Sequence, residues 1–244
     1  MTAEQIKNNF EKIRCDIAEA EKSTGRKEGS VTLCAVSKFH PAQSVIDAMN
    51  GGQFLFGENR VQEAYAKFSE INATYPAKAC LHIIGSLQLN KVKKAVEIAS
   101  CIQSVDREAL LEEIEKHSGR MNKTMEVFLE IHTGEDSKSG YTEEKALMTS
   151  LQNLSTGLYP HIKVTGLMTM APFSSDEALI RKSFSHLRTL KEKINKDFPN
   201  LPIQELSMGM SGDYKIAIEE GSTMVRIGTA LFGEREYNKP NVGN

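Results

Sequence analysis

Eight short apolar segments alternate along this chain with segments of helical pattern, and this alternation restricts the possible folds more than any other feature. The apolar segments show little polar alternation, which is typical of strands buried on both faces of a parallel sheet. Eight such units within 244 residues match an α/β fold of the (β/α)8 TIM barrel type. We therefore predict strands at residues 31–38, 53–57, 81–85, 101–105, 126–132, 164–170, 203–208 and 223–227.

An extra amphipathic helix is predicted before the first strand. An open doubly wound sheet is the alternative fold, which we favour less because the sequence lacks the fingerprint G-x-G-x-x-G. We expect a single barrel domain over residues 1–236, followed by a polar tail at 237–244. The apolar residues that share one face of the first helix are Ile6, Phe10, Ile13 and Ile17.

The composition excludes several classes of function. A formal net charge of −2 gives no sign of the excess positive charge that is typical of proteins that bind nucleic acid. The first residues are polar and no apolar run reaches membrane-spanning length, so we expect neither a signal peptide nor a membrane protein. The sequence has no cluster of cysteine and histidine with metal-ligand spacing, so no metal is expected. We expect Cys15, Cys34, Cys80 and Cys101 to be buried free thiols in a reducing cytoplasm.

Two predicted helices carry start signals. Asp106 is a plausible N-cap for the helix in which Leu110 and Ile114 face inward. Residues 174–177, Ser-Ser-Asp-Glu, form a capping box before a long helix that runs to about residue 194.

Lys38 stands at the end of the first predicted strand, where the active sites of such barrels lie. Burial there disfavours the charged ammonium, so we predict a lowered pKa for Lys38. A neutral amine condenses with an aldehyde to give a Schiff base. The alternative is a lysine whose head group reaches solvent past the end of the strand.

The exits of the seventh and eighth strands carry glycine with hydroxyl residues. The first of these loops contains Ser211-Gly212, the second contains Gly228-Thr229, and each opens a helix, so together they favour a phosphate site. The alternative is two tight turns with capping hydroxyls. Arg226 shares a strand face with Gly228 and needs a partner inside the barrel, either a carboxylate of the protein or a ligand. An aldehyde-reactive lysine, a phosphate site and an inward arginine suggest pyridoxal 5′-phosphate (PLP) as the ligand.

Several longer motifs run in order from the first strand to the eighth. With these motifs the chain resembles the pyridoxal phosphate homeostasis proteins, which are related to the barrel domain of alanine racemase. The motifs are AVSK at 35–38, FGENRVQE at 56–63, HIIGSLQLNK at 82–91, EDSKSG at 135–140, GLMTM at 166–170, LSMGMSGDY at 206–214 and VRIGTALFG at 225–233.

The resemblance implies a role for each matched residue. It implies that Lys38 carries PLP as a Schiff base and that Arg226 faces the pyridine nitrogen. It implies that Ser211, with Gly212, and Gly228 with Thr229 hold the phosphate. The residues that would line the ring pocket are Asn59, His82, Met168 and Ser207.

Three hypotheses for function follow. The first, which we favour, is a PLP-binding protein of intracellular vitamin B6 homeostasis with little or no turnover, a monomer or weak dimer that could supply PLP-dependent apoenzymes. The second is a low-activity amino-acid racemase, which needs a second acid/base; only Tyr141 and Tyr214 among the tyrosines lie in exit loops. The third is a Schiff-base aldolase acting on a phosphosugar. Lys138, in another exit loop, is read as a solvated charge, and a second weak aldehyde site is the alternative.

Overall fold

The chain forms a closed barrel of eight parallel strands, seen in a computed structural model that describes residues 1–134 and 139–234. Each strand pairs with the next in sequence, and the eighth pairs with the first. The predicted (β/α)8 barrel is therefore confirmed. The strands are β1 Thr32–Val36, β2 Leu55–Glu58, β3 Cys80–Ile83, β4 Cys101–Val105, β5 Met125–Glu130, β6 Ile162–Met168, β7 Glu205–Ser207 and β8 Met224–Ile227.

Helices follow the strands and surround the barrel. The added first helix packs against α2, α8 and α9, and its predicted apolar face is buried. A short 3-10 turn, Leu89–Lys91, precedes α4. The helices are α1 Ala3–Ser23, α2 Ala42–Asn50, α3 Val61–Thr74, α4 Val92–Ile98, α5 Glu108–Arg120, α6 Glu144–Ser155, α7 Glu177–Asp197, α8 Tyr214–Glu219 and α9 Thr229–Phe232.

The core has two layers, separated by the sheet. The larger layer lies between strands and helices, and it includes Leu33, Phe56 and Leu206. A smaller cluster fills the inside of the barrel, because alternate strand residues point inward. Its buried members are Cys34, Cys101, Phe128, Met168 and Met224. The interior of the barrel is therefore packed at this level, and the cavity described below lies towards the strand ends.

Several boundaries differ from the predictions. The strand β4 has the predicted bounds, whereas β1 ends at Val36. Lys38 therefore lies in the turn that follows β1 and not on the strand itself. The last residues of β1 and β2 that pair are Val36 and Gly57, and the chain turns away after the Ser37 N–H has donated to the Gly57 carbonyl oxygen at 3.1 Å.

Both predicted helix caps are wrong in detail. Arg107, not Asp106, is the N-cap residue of α5, and the Asp106 carboxylate instead forms an ion pair with the Arg107 guanidinium. At α7 the N-cap is Asp176, whose carboxylate accepts a hydrogen bond from the Ala178 N–H at 2.9 Å. Ser174 bonds to the Asp176 N–H, so it supports the loop before the helix and does not cap it.

The cysteines are free, but only two are buried. Cys34 and Cys101 face the interior of the barrel, whereas Cys15 is exposed on α1 and Cys80 is half-buried. The expectation of four buried thiols was wrong for Cys80 and for Cys15, which lies outside the apolar stripe of its helix. Within the described residues, no helix combines the length and the apolar character that crossing a bilayer would require.

Candidate functional site

A cavity of about 400 Å³ opens at the carboxyl ends of the strands. Its wall comes from the segments that follow β1, β2, β3, β6, β7 and β8, so residues far apart in sequence meet there. Ligand sites of barrels occupy this end of the fold. The predicted site residues that line the cavity are Lys38, Asn59, Ser211, Gly212, Arg226, Gly228 and Thr229.

The other three predicted residues, His82, Met168 and Ser207, lie one step deeper in the barrel. His82 precedes the cavity-lining Ile84 by two residues, and Met168 precedes the cavity-lining Met170 in the same way. All three are buried. They form the layer beneath the cavity rather than its wall.

A chain of hydrogen bonds crosses this deeper layer from Arg226 to His82. The Arg226 guanidinium donates to Ser207 Oγ at 2.7 Å, and that hydroxyl donates to Gln103 Oε1 at 2.6 Å. The Gln103 amide nitrogen then meets His82 Nδ1 at 2.7 Å. The Gln103 amide nitrogen also lies 3.2 Å from Met224 Sδ, which can only accept, so in this orientation the amide donates and the chain of hydrogen bonds runs from Arg226 towards His82. Gln103 is a residue that the prediction of the site missed.

The direction of these hydrogen bonds determines which nitrogen of His82 carries the proton. The Gln103 amide donates, so His82 Nδ1 accepts and the ring carries its proton on Nε2. Burial lowers the pKa of His82 to about 4, because the charged imidazolium is poorly solvated inside the barrel. The ring also meets the edge of Phe128, with 6.3 Å between centroids. His82 is therefore a neutral imidazole at physiological pH.

Arg226 is buried and bonded to neutral groups. Besides Ser207, its guanidinium donates to the Thr169 carbonyl oxygen at 2.8 Å. Within the described ranges no carboxylate lies at ion-pair distance from it, so the alternative of a structural ion pair is not what holds it there. Burial lowers the pKa of Arg226, while the more distant charges of Glu130 and Asp213 oppose that shift. Arg226 lines the cavity, and a guanidinium carries more N–H donors than the two bonds to Ser207 and Thr169 use.

Lys38 is half-buried in a tight turn between β1 and α2. The His40 N–H donates to the Ser37 carbonyl oxygen at 3.1 Å, which closes the turn. Pro41 then serves as the N-cap residue of α2. The turn places both Lys38 and His40 on the cavity wall.

The loop after β7 is tightly folded against the end of β8. The Arg226 N–H donates to the Gly209 carbonyl oxygen at 2.9 Å, and the Asp213 carboxylate accepts from the Met210 N–H. Burial raises the pKa of Asp213. The helices α8 and α9 span only six and four residues. An anion in this part of the cavity would therefore be held by the loop hydroxyls and backbone N–H groups more than by helix dipoles.

Both tyrosines of the exit loops direct their hydroxyl groups away from the cavity. The Tyr214 hydroxyl donates to Asp16 on α1 at 3.0 Å, and the Tyr141 hydroxyl bonds to Ser150 on α6 at 2.8 Å. Neither residue lines the cavity. Lys138 lies outside the described residues, as do residues 135–137 of the same motif.

Comparisons with known proteins agree with this geometry. The model of the family described as "Alanine racemase, N-terminal domain" matches residues 4–236. A pyridoxal phosphate homeostasis protein of Vibrio alginolyticus is 39% identical over 235 residues, which is 96% of this chain and 99% of the relative. One of Vibrio cholerae is 37% identical over 236 residues, 96% of this chain and 98% of the relative.

Solved structures extend the comparison. PipY of Synechococcus elongatus, solved with PLP bound, has a TM-score of 0.79 and 38% identity, covering 89% of this chain and 100% of its own. An alanine racemase of Bacillus anthracis has a TM-score of 0.69 with 18% identity over 98% of this chain and 57% of its own, and it supports the fold alone. The chain therefore belongs to the alanine racemase N-terminal domain family and, within it, to the pyridoxal phosphate homeostasis proteins.

Proposed function

We propose that this protein binds PLP in the cavity at the strand ends, as a Schiff base on Lys38, and serves PLP homeostasis with little or no turnover. The observation that carries this proposal is the meeting of Lys38, two hydroxyl-bearing glycine loops and the buried Arg226 on one cavity wall. The PLP bound by the related PipY supports the same ligand.

The residues present fit this cofactor. The cavity volume of about 400 Å³ is in the range of small-molecule sites. Ser211 and Thr229 offer hydroxyl donors for phosphate oxygens, and Arg226 offers N–H donors for a pyridine nitrogen. A Cβ atom added at Gly212 would meet no heavy atom within 4 Å, so that part of the wall faces open space.

When bound, PLP supplies an aldehyde, and its condensation with the Lys38 amine forms one C=N bond and releases one water. Arg226 would donate a hydrogen bond to the pyridine nitrogen without giving up its proton, because the guanidinium stays charged. The ring is then a weaker electron sink than one protonated by an acidic partner. That property suits storage and transfer of the cofactor better than proton abstraction from an amino acid.

Low turnover also fits the positions of the two loop tyrosines. A racemase needs acid/base groups on both faces of its substrate, whereas the Tyr141 and Tyr214 hydroxyls bond to Ser150 and Asp16. We propose that the protein acts in the cytoplasm. The free cysteines fit this location, because such thiols persist in reducing compartments. Supply of PLP to apoenzymes by a monomer or weak dimer belongs to the same proposal.

The primary test is the absorption spectrum of the protein with added PLP, between roughly 300 and 500 nm. We expect a visible band for the unaltered protein, fixed by borohydride onto Lys38 in a peptide map. Lys38→Ala should lack both band and adduct, whereas Lys93→Ala, which changes an exposed lysine on α4, should retain both. A colourless unaltered protein, or an adduct that persists in Lys38→Ala, would contradict the proposed linkage.

The racemase alternative requires exchange of the α-proton of an amino acid. In deuterium oxide, we expect the α-proton of alanine to exchange no faster with the PLP-loaded protein than with a mixture of Lys38→Ala and free PLP. Rapid exchange that depends on Lys38 would establish an enzyme instead of a carrier.

Arg226→Met is expected to weaken PLP binding by about tenfold, which is the contribution of one charge-assisted hydrogen bond. The free energy of unfolding of the apoprotein should fall by about 1 to 3 kcal/mol, because Ser207 Oγ and the Thr169 carbonyl oxygen lose a buried donor. Relief of the desolvation penalty of the buried guanidinium offsets part of this loss. Equilibrium titration and urea unfolding measure the two effects separately. A large loss of stability with unchanged affinity would assign Arg226 a structural role only.

A further inference from the structure

A buried cluster of charged side chains lies directly behind the turn that carries Lys38. Lys67 on α3 is 9% exposed and Glu58 on β2 is fully buried, and the Lys67 ammonium lies 2.9 Å from Glu58 Oε1. The same ammonium lies 3.3 Å from Glu63 Oε1, where the Glu63 side chain is 29% exposed. We call Glu58, Glu63 and Lys67 the ion cluster. None of its members lines the cavity.

The ion cluster is bonded to the chain on both sides of Lys38. On one side, Lys67 donates to the Ser37 carbonyl oxygen at 2.9 Å, and the Ser37 hydroxyl donates to Glu58 Oε1 at 2.7 Å. On the other side, the Phe39 N–H donates to Glu63 Oε1 at 2.8 Å. The two residues that flank Lys38 are thus fixed to the same three charged side chains.

The turn that these bonds hold is strained. Phe39 has φ of +65°, in the left-handed region that residues with a Cβ atom rarely adopt. Such a conformation persists only where the surroundings determine it. The hydrogen bond to Glu63 helps to hold Phe39 in this conformation. The Arg60 guanidinium, 5.0 Å from the centre of the Phe39 ring, also helps to hold it.

The ion cluster is poorly suited to stabilise the fold as such. Burying charges carries a desolvation penalty that their attraction often fails to repay. Glu58 Oε2 is buried with no hydrogen-bond partner, and burial raises the pKa of Glu58 while Lys67 opposes the shift. An apolar residue of similar size would fill the same space without this desolvation penalty. The bonds to residues 37 and 39 are what an apolar replacement could not provide.

We propose that the ion cluster is a positioning unit, which holds the strained turn at Ser37 and Phe39 so that the Lys38 amine is directed at the ligand cavity. This inference rests on the proposed reaction of Lys38 with an aldehyde. Glu58, Glu63 and Lys67 act through the backbone, and Lys38 alone forms and breaks bonds.

The test compares the reactivity of Lys38 among variants of the apoprotein. Competitive labelling with limiting acetic anhydride, read by mass spectrometry from about pH 7 to about pH 10, measures the nucleophilicity of each lysine without PLP. The rate at which the PLP band appears after mixing measures the same position by a second route. For Lys67→Met we expect the band to form about tenfold more slowly, with a changed pH profile for Lys38 labelling, because small displacements of a reacting group have large effects on rate.

The matched control is Lys123→Met. Lys123 is a partly buried lysine that donates to the carbonyl oxygens of Val96 and Ala99 at 2.7 and 2.6 Å, far from the turn in sequence. This variant should lose stability while the reactivity of Lys38 stays within about twofold of the unaltered protein, since no contact with the turn is removed. Melting curves of both variants show whether a loss of reactivity is merely a loss of folding.

A second pair of variants keeps the test decisive if Lys67→Met does not fold. Glu63→Gln retains an oxygen that accepts from the Phe39 N–H, whereas Glu63→Ala removes it. We expect Glu63→Gln to react almost as the unaltered protein does, and Glu63→Ala to react about tenfold more slowly. Equal reactivity of Lys38 in all four variants would overturn the inference. Failure of the unaltered protein to bind PLP would overturn the proposed function instead, and the labelling experiment would still measure the effect of the ion cluster on Lys38.

Discussion

Replacing Gly209 by alanine is expected to lower the free energy of unfolding by about 3 kcal/mol. Gly209 follows β7 with φ of +97°, a conformation that disfavours any residue with a Cβ atom. The added Cβ would lie 2.6 Å from the Ala217 Cβ and 2.9 Å from the Tyr214 Cα, both on α8. Since real Cβ atoms do not approach so closely, α8 must move. Urea unfolding of the apoprotein measures the loss.

Gly157→Ala separates the steric clash from the backbone strain. Gly157 also has positive φ, +77°, but a Cβ there would meet nothing within 4 Å. This control should lose only about 1 kcal/mol. Displacement of α8 also moves the loop with Ser211 and Gly212, so Gly209→Ala, unlike Gly157→Ala, should weaken PLP binding. Equal losses of stability in the two variants would show that α8 is not packed against Gly209 as described.

The barrel could be predicted from sequence because its signal is repeated eight times. Each apolar segment is buried on both faces, so single ambiguous segments did not alter the topology. Strand ends were harder to predict. Ser37 is as buried as the strand before it, yet it lies beyond β1, because pairing with β2 stops at Val36. The residue at which pairing stops depends on the neighbouring strand, so the local sequence pattern cannot predict it.

In the layer beneath the cavity wall, the prediction named His82 and Ser207 but missed Gln103 between them. Gln103 lies in a strand that is buried throughout, and a buried amide needs partners, so the signal was present. Lys67 likewise interrupts the apolar stripe of α3 between Ala64 and Phe68. Their partners could not be predicted, because Ser207 is 104 residues from Gln103 and Ser37 is 30 residues from Lys67. Only the closed barrel brings these groups together.

His82 should contribute strongly to the pH dependence of the free energy of unfolding. Its pKa of about 4 in the folded protein lies below the value of about 6.5 expected for the unfolded chain. As pH falls, the unfolded chain therefore takes up this proton first, and stability present above about pH 6.5 is lost as pH falls towards 4. Between pH 7 and pH 4.5 this single group should lower the free energy of unfolding by about 2 kcal/mol. The His82→Asn variant should lack that portion of the loss in urea unfolding of the apoprotein at the two pH values.

His186→Asn provides the control, because it removes an exposed histidine from α7 and should leave the full loss in place. Protonation of His82 matters beyond its own desolvation. With a proton on both ring nitrogens, His82 can no longer accept from Gln103, and the Gln103 amide would have to reverse. Its nitrogen would then donate to Ser207 Oγ, and the Ser207 hydroxyl proton would lose its acceptor, Gln103 Oε1. Protonation of His82 would therefore disturb the hydrogen bonds of Ser207, the residue to which Arg226 donates. If His82→Asn and His186→Asn lost stability equally on acidification, burial would not lower the pKa of His82 as described.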